Sequence, residues 1–565
     1  MNPRIYTSNF SDAPILNTSI FTRLFSTRAS GDIGGFPGSR TALIDAKTDT
    51  SLTRAQLVDL SLSFGYGIQN HPVLAPFTKR GSTVLLFSAN SLAWPIVLFG
   101  CVAAGLRCTL ANNAFIAREL EHQYSNSGAG VVITSEDGIG TVRTMFQQLG
   151  IAQDEGDRRT VVLGRDLRWA GGPAAALNPE CWGLLTLPDL LSRGKLKKEE
   201  QFEGELAHET VYLCYSSGTT GKPKGVETTH QNMTTNLDIV RPFFLEVQGN
   251  GTVLSILPWF HCYGLLVILH LPLILGWSII IQPQFEPVQF CATIERFKIP
   301  LAFIVPPVLV ILAQHSAVDE YDLSSLEYML SAAAPLGADL VHQVKMRLLE
   351  NRPAGATCSI AQAFGLTETT TGTHLLPFRD SDRKIGSVGL LCSNLEARII
   401  HDDEGNVDAQ EGAPGELWDA QGYLNNPQAT ANSTTPDGWF KTGDIVVRDK
   451  DSFFYVLDRK KDLIKYKGFQ GLFCFISGRA FNSLSQFVVA PAELESVLLT
   501  HPDIADAAVI GMDSREQATE LPRAYVVHAR PQEIQGQAQM TAFAESVAEW
   551  MKTKVNRHKF LRGGR

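Results

Sequence analysis

From about Thr41 to Thr500, short apolar runs rich in β-branched residues alternate with stretches whose hydrophobic positions recur at helical spacing. Val84 to Ser88 (VLLFS) predicts a strand, Leu92 to Ala104 the helix after it, and Val131 to Thr134 (VVIT) the next strand. Tyr212 to Tyr215, Val253 to Leu257, Ile279 to Gln282 and Ala302 to Val305 continue the series. Strands of this kind, separated by helices, fit mostly parallel sheets covered on both faces, an α/β fold. Near Asp444 the texture changes, and Asp451 to Asp458 (DSFFYVLD) reads as an antiparallel hairpin. A boundary close to Asp458 divides a large domain, 1–457, from a small mobile α+β domain, 458–565. No fixed-period repeat and no low-complexity block interrupts the chain.

The longest apolar run, Gly264 to Ile281, carries His270, Pro272 and Gly276 inside it. A membrane-spanning helix needs about 20 predominantly apolar residues. The run instead predicts a buried helix turning at Gly276-Trp277 into a strand of Ser278 to Ile281.

At 565 residues the chain exceeds one ordinary domain, and 44% hydrophobic against 19% charged residues excludes global disorder. A net charge of −9 without a long basic run argues against a nucleic-acid partner. Nine cysteines with no CxxC pair argue against a disulfide framework or structural zinc. The N-terminal MNPRIYTSNFSDAP lacks a signal-peptide apolar stretch, and the terminal LRGGR is not a peroxisomal SKL address. The expectation is a soluble, intracellular, cytoplasmic protein with small-molecule partners and no membrane association.

The string with most chemistry is Tyr215 to Val226, YSSGTTGKPKGV, directly after the apolar strand Val211 to Cys214. Serines, threonines, glycines and lysines at this density suit a loop that grips a polyphosphate through N–H, hydroxyl and ammonium donors. It is not a Walker loop: only two residues separate Gly218 from Gly221, and Pro223 follows Lys222 where Ser or Thr would be needed.

This string resembles the signature loop of the adenylate-forming superfamily, in particular 4-coumarate–CoA ligase-like acyl- and aryl-CoA synthetases. Further motifs stand in the family's order: Pro258 to His261 (PWFH), Ser331 to Leu336 (SAAAPL), Ala363 to Thr369 (AFGLTET) and Asp437 to Asp444 (DGWFKTGD). Asp458 to Gln470 (DRKKDLIKYKGFQ) and Ala490 to Glu495 (APAELE) follow. The resemblance implies a β-barrel-like subdomain beside the parallel sheets. It also implies an AMP-forming acid–thiol ligase that uses ATP, Mg²⁺ and CoA to activate a carboxylic acid.

By that resemblance Ser216, Ser217, Gly218, Thr219, Thr220 and Lys224 grip the β/γ-phosphates, Gly221 and Lys222 belong to the ATP/AMP-binding set, and Thr367 contacts the α-phosphate. Glu368 holds Mg²⁺, while Asp444 accepts ribose hydroxyls beside Arg459. Ala333, Gln362, Lys461, Lys465 and Gln470 complete the ATP/AMP-binding set, and Lys467 and Gly468 face CoA. His261 closes over the acid carboxylate and α-phosphate, so the catalytic group is His261, Lys224, Thr367 and Glu368. The acid pocket is His261, Tyr263, Ala332, Ala363, Phe364 and Gly365. Ala332 and Ala363 replace family glycines. Each adds a methyl group, worth about 1–3 kcal/mol of discrimination if it faces the acid rather than packing. That favours a flat or short acid such as a benzoate or cinnamate.

Three departures lie in the last quarter. The spacer Asp419 to Gln421 is short, and Gly471 to Val488, an apolar-rich and aperiodic stretch, separates GFQ from VAPAELE. Its eighteen residues match a short in-frame retained intron. The chain as given also ends before the family's GK segment, whose lysine serves adenylation, so slow adenylation is expected. Three readings stand at this point: the CoA ligase, a stand-alone adenylation enzyme feeding a carrier protein, and a non-catalytic paralogue.

Overall fold

A computed structural model describes residues 3–216, 223–249, 251–350, 352, 356–402, 405, 407–419, 434–461, 464–465, 488–514, 519–555 and 559–562. The predicted strands and helices fall where hydrophobic spacing puts them. Thr83–Phe87 is a strand with all five residues buried, and the helix Ala93–Ala103 is buried on every side. A helix apolar all round has no face to give to water, so it lies within the core.

Two large sheets form the α/β body. One has seven strands, with Ala129–Ser135, Thr83–Phe87, Arg107–Leu110 and Thr210–Ser216 running parallel through its middle. Its last strand, Lys224–Thr229, turns back antiparallel to Thr210–Ser216. The other has nine strands, parallel from Ser359–Leu366 through Leu301–Ile304 and Thr252–Ser255 to Thr41–Asp45, with antiparallel strands at both edges. Residues of both sheets and of Ala93–Ala103 belong to one hydrophobic cluster.

The apolar run after His261 forms a π-helical stretch, Gly264–His270, then an α-helical turn, Leu271–Leu275. Gly276 at φ 72° ends it, and Ser278–Ile281 is the strand that follows. Helix and strand match the sequence expectation; the widened π turns do not show in it. His270 is fully buried there, donates Nδ1–H to the Leu265 carbonyl (2.7 Å) and accepts from the Tyr212 hydroxyl (3.0 Å). Burial lowers its pKa to about 4, so the ring is neutral. No helix among the described residues is long and apolar enough to cross a membrane.

Arg54 ties this region together. It is 1% exposed and donates to the carbonyls of Ile33, Leu24 and Leu273 at 3.0, 3.0 and 2.8 Å.

A third sheet runs Tyr6–Thr7, Glu396–Ile400, Gly415–Asp419, Phe440–Arg448, Phe454–Arg459, antiparallel throughout. The resemblance implied a barrel-like unit; among the described strands the order is open, because the edge strands Tyr6–Thr7 and Phe454–Arg459 do not pair. The antiparallel hairpin is Phe440–Arg448 with Phe454–Arg459, so the segment Asp451 to Asp458, expected to hold it, supplies only the end of its turn and its second strand. Beyond it, the helices Pro491–Leu498 and Gln537–Lys552 pack with the hairpin Ile504–Ser514 and Thr519–His528 around Leu494, Leu498, Ile504 and Met551.

Candidate active site

The described residues that flank the glycine-rich segment belong to the antiparallel ladder between Thr210–Ser216 and Lys224–Thr229. Ser216 and Lys224 face each other across its last rung. Ser217, Gly218, Thr219, Thr220, Gly221 and Lys222 lie outside the described residues, as do Lys467, Gly468, Gln470 and the stretch 471–487. Ala420 and Gln421 of the short spacer lie outside them too. Lys465 is described as strand backbone only, with its neighbour across the ladder at Val488, so the chain leaves and re-enters the same two-stranded ladder around that stretch.

The base of the loop is braced by the helix Ala117–Ser127. His122 Nε2 meets the Pro223 carbonyl at 2.9 Å, and the Tyr215 hydroxyl donates to Asn126 Oδ1 at 2.6 Å. Sequence reading missed both braces, since the His122 contact spans 101 positions and carries no local motif.

The strand Ser359–Leu366 delivers the Thr367–Glu368 pair into the tight turn Thr367–Thr369. Ser216 Oγ donates to Glu368 Oε1 at 3.0 Å, joining loop and turn, and Glu368 is 8% exposed. The chain then passes through Thr370 at φ 53° and Thr371 at φ 89°. Two consecutive non-glycine residues in the left-handed region hold backbone strain of the kind found at functional sites. Gly365 answers this crowding: a Cβ there would stand 1.4 Å from the Thr371 carbonyl oxygen, so no side chain fits. Ala333, in the SAAAPL turn, is a third strained residue, at φ 73°.

Asp444 ends in a buried position, 3% exposed. Its Oδ1 lies 3.2 Å from Arg459 Nε, and its Oδ2 has no hydrogen-bond partner. Burial raises its pKa to about 6; Arg459 opposes the shift, while Asp458, Glu416 and Glu368 add to it. An unpartnered buried carboxylate oxygen is costly, which marks it as an acceptor waiting for a donor. Asp458 is satisfied, accepting from the amides of Arg459 (2.7 Å) and Ala492 (3.1 Å).

A cavity of about 610 Å³ reaches Gly365, Thr371, Asp444 and Asp458, while Glu368 is outside its lining. It is lined by all six residues of the expected acid pocket, His261, Tyr263, Ala332, Ala363, Phe364 and Gly365. Ala333, Asp444, Arg459 and Lys461 of the expected nucleotide set line it as well. Gln362 does not: it is buried, with Nε2 donating to the Leu336 carbonyl (3.4 Å). Lys224 is outside the lining, at its ladder position, and Thr367 connects through Cys262, whose Sγ is 3.6 Å from Thr367 Oγ1.

Cys262 and Thr371 also line the cavity and were not singled out in the sequence. Burial pushes the Cys262 thiol up, but His261, Thr367 and Thr371 outweigh it and hold the thiol below its ordinary value. The Tyr263 amide donates to His261 Nδ1 at 3.2 Å, which orients the ring. Residues from the last hundred positions, among them Pro491, Glu495, Ile510 and Glu520, complete the wall.

Known proteins resemble this chain in sequence and fold. Residues 32–424 match the family model described as AMP-binding enzyme, and residues 493–563 match that of the AMP-binding enzyme C-terminal domain. The chain is 31% identical over 513 residues to 4-coumarate-CoA ligase 1 of Narcissus pseudonarcissus, covering 88% of this chain and 83% of that protein. The structure of an anthranilate CoA ligase in complex with anthranoyl-AMP superposes with a TM-score of 0.76 at 22% identity, covering 97% of this chain and 93% of that one. That of o-succinylbenzoate coenzyme A synthetase from Bacillus subtilis, in complex with ATP and magnesium ion, gives 0.69 at 22% identity, covering 96% and 94%.

Proposed function

The chain belongs to the AMP-binding enzyme family, and from that membership and its cleft we propose that it joins a carboxylic acid to CoA by way of an acyl-adenylate. One observation carries the reading. A single cavity is lined by apolar side chains, by the strained Thr371 and by Asp444, whose buried Oδ2 has no hydrogen-bond partner.

A carboxylate is a poor acyl donor, because its oxygen leaves badly and its charge repels nucleophiles. Attack of a carboxylate oxygen on the α-phosphorus of ATP expels pyrophosphate and converts that oxygen into part of AMP, a good leaving group. The CoA sulfur then attacks the acyl carbon, and AMP departs. Both steps depend on positioning and on charge stabilisation more than on covalent help from the protein.

The proposed residue roles are those the family resemblance implies. Asp444 Oδ2 accepts from ribose hydroxyls, with Arg459 fixing the other carboxylate oxygen. Lys224 and the loop hydroxyls take the β- and γ-phosphates, braced from below by His122 and Asn126. Thr367, 3.6 Å from Cys262 Sγ, is proposed to contact the α-phosphate, and His261 the acid carboxylate. Among the described residues no group of three or more His, Cys, Asp or Glu could hold a metal by itself. Glu368 alone, already anchored by Ser216, suits Mg²⁺, a hard cation that keeps one or two carboxylates and takes its other ligands from phosphates and water. It would neutralise phosphate charge when bound.

The acid is proposed to be aryl, a benzoate or cinnamate, since the methyl groups of Ala332 and Ala363 belong to residues on the cavity wall. The eight described cysteines are buried, and an intracellular setting with small-molecule partners is part of the proposal. Incubating the protein with acid, ATP, Mg²⁺ and CoA tests the reading by mass spectrometry. Acyl-CoA and AMP are the expected products; adenylate that is passed only to a carrier protein, or no adenylate at all, would sink it.

A further inference from the structure

Cys262 stands immediately after His261, is buried and lines the cavity. Its backbone and its side chain make separate contacts with the segment after Leu366. The Cys262 carbonyl accepts from Thr371 Oγ1 at 3.1 Å, and Cys262 Sγ lies 3.6 Å from Thr367 Oγ1. The same sulfur lies 3.9 Å from His261 Nδ1. One side chain therefore touches both the ring assigned to the acid carboxylate and the hydroxyl assigned to the α-phosphate.

The neighbouring groups have partners of their own. Thr371 Oγ1 gives its proton to the Cys262 carbonyl, and His261 Nδ1 already accepts from the Tyr263 amide at 3.2 Å. Thr367 has no such second partner: among the described residues, Cys262 Sγ is the one hydrogen-bonding contact of its hydroxyl. Leu366 and Thr371 line the cavity and Thr367 does not, so Cys262 stands between that hydroxyl and the open space. Thiol and hydroxyl carry one proton each, and whichever donates across the contact, the sulfur sets where the Thr367 hydroxyl points. The segment also needs holding, since Thr370 and Thr371 both have positive φ and such backbone persists only where its surroundings fix it.

We propose, resting on the acid-activating reading, that Cys262 is a positioning residue for the adenylation step: its sulfur holds the Thr367 hydroxyl towards the α-phosphate and ties it to His261. Loss of one such contact slows the step about two- to tenfold.

The test is a double-mutant cycle of Cys262→Ala and Thr367→Val. The readouts are the single-turnover rate of pyrophosphate formation at saturating ATP, the half-saturating acid concentration, and the urea midpoint of each variant, with benzoate, cinnamate and octanoate as acids. Cys262→Ala is expected to slow the turnover about two- to tenfold, with half-saturation changed less than twofold. Thr367→Val is expected to slow it at least as much, and Cys262→Ala to add nothing once residue 367 is changed. Cys262→Ser, which keeps a polar atom in place of the sulfur, should recover part of the loss. A Cys262→Ala enzyme as fast as the wild type, losses that multiply in the double variant, or a Cys262→Ser enzyme as slow as Cys262→Ala each overturn the proposal while leaving acid activation standing. Where Cys262→Ala does not fold, Cys262→Val replaces it in the cycle under the same criteria. Failure of the wild type to form pyrophosphate with any of the acids overturns the acid-activating reading and this proposal with it.

Discussion

Replacing Asp444 by asparagine separates what its charge does for the nucleotide from what it does to the fold. The carboxyl titrates near 6 in the folded protein, raised first by burial and further by Asp458, Glu416 and Glu368 against the pull of Arg459. Its ordinary value is 3.8. A raised carboxyl binds its proton more tightly folded than unfolded, so stability falls as pH rises from about 4 to about 6 and the full cost persists above that. Two units correspond to about 3 kcal/mol, at about 1.4 kcal/mol per unit. Asp444→Asn keeps the shape and removes the charge. At pH 7.5 the ligand-free variant should be more stable than the wild type by up to about 3 kcal/mol, and the difference should shrink towards zero near pH 4. Urea denaturation at both pH values measures it. The same variant should lose ATP affinity by about tenfold or more, because ribose hydroxyls lose a charged acceptor worth about 1.5–3 kcal/mol per bond. A variant less stable at pH 7.5, or a stability difference that ignores pH, would refute the reasoning.

Lys224→Ala should weaken ATP use by one to two orders of magnitude, on the basis of about 1.5–3 kcal/mol per charge-assisted bond; unchanged pyrophosphate release would remove that lysine from phosphate binding. Ala332→Gly should improve larger acids relative to benzoate-sized ones, since Ala332 lines the cavity; identical relative activities across acid sizes would show that its methyl group does not limit them. Arg54→Met should destabilise the protein by about 3–5 kcal/mol, through three buried carbonyls left without their donor. Its signature is a lower urea midpoint, and a midpoint within error of the wild type would contradict the bonding described.

The parts of the fold legible in the sequence are those where burial is continuous. Thr83–Phe87 and Ala93–Ala103 announce themselves because every position is buried, and neither needs distant information. Thr371–Leu375 is equally buried but reads as TGTHL, polar and unremarkable, because its burial comes from the strands on either side. Tyr6–Thr7 pairs with Glu396 and Ala397, a partnership that no local pattern encodes. The same division runs through the site. Asp444, Ala332 and Ala363 were found through their motifs, and the cavity includes them. Cys262 and Val240 escaped notice, one standing just after the Pro258 to His261 motif without a named role and the other at a helix end that looks like ordinary core. The prop of His122 under Pro223 depends on tertiary contact alone.

The account's central claim is that the acid's own oxygen attacks the α-phosphorus of ATP in this cleft. Supplying acid labelled with ¹⁸O in both carboxylate oxygens, together with unlabelled ATP, Mg²⁺ and CoA, tests it directly by mass spectrometry of the nucleotide product. The prediction is AMP carrying one ¹⁸O atom, formed in step with acyl-CoA. Unlabelled AMP, or label appearing in orthophosphate alongside ADP, would contradict it.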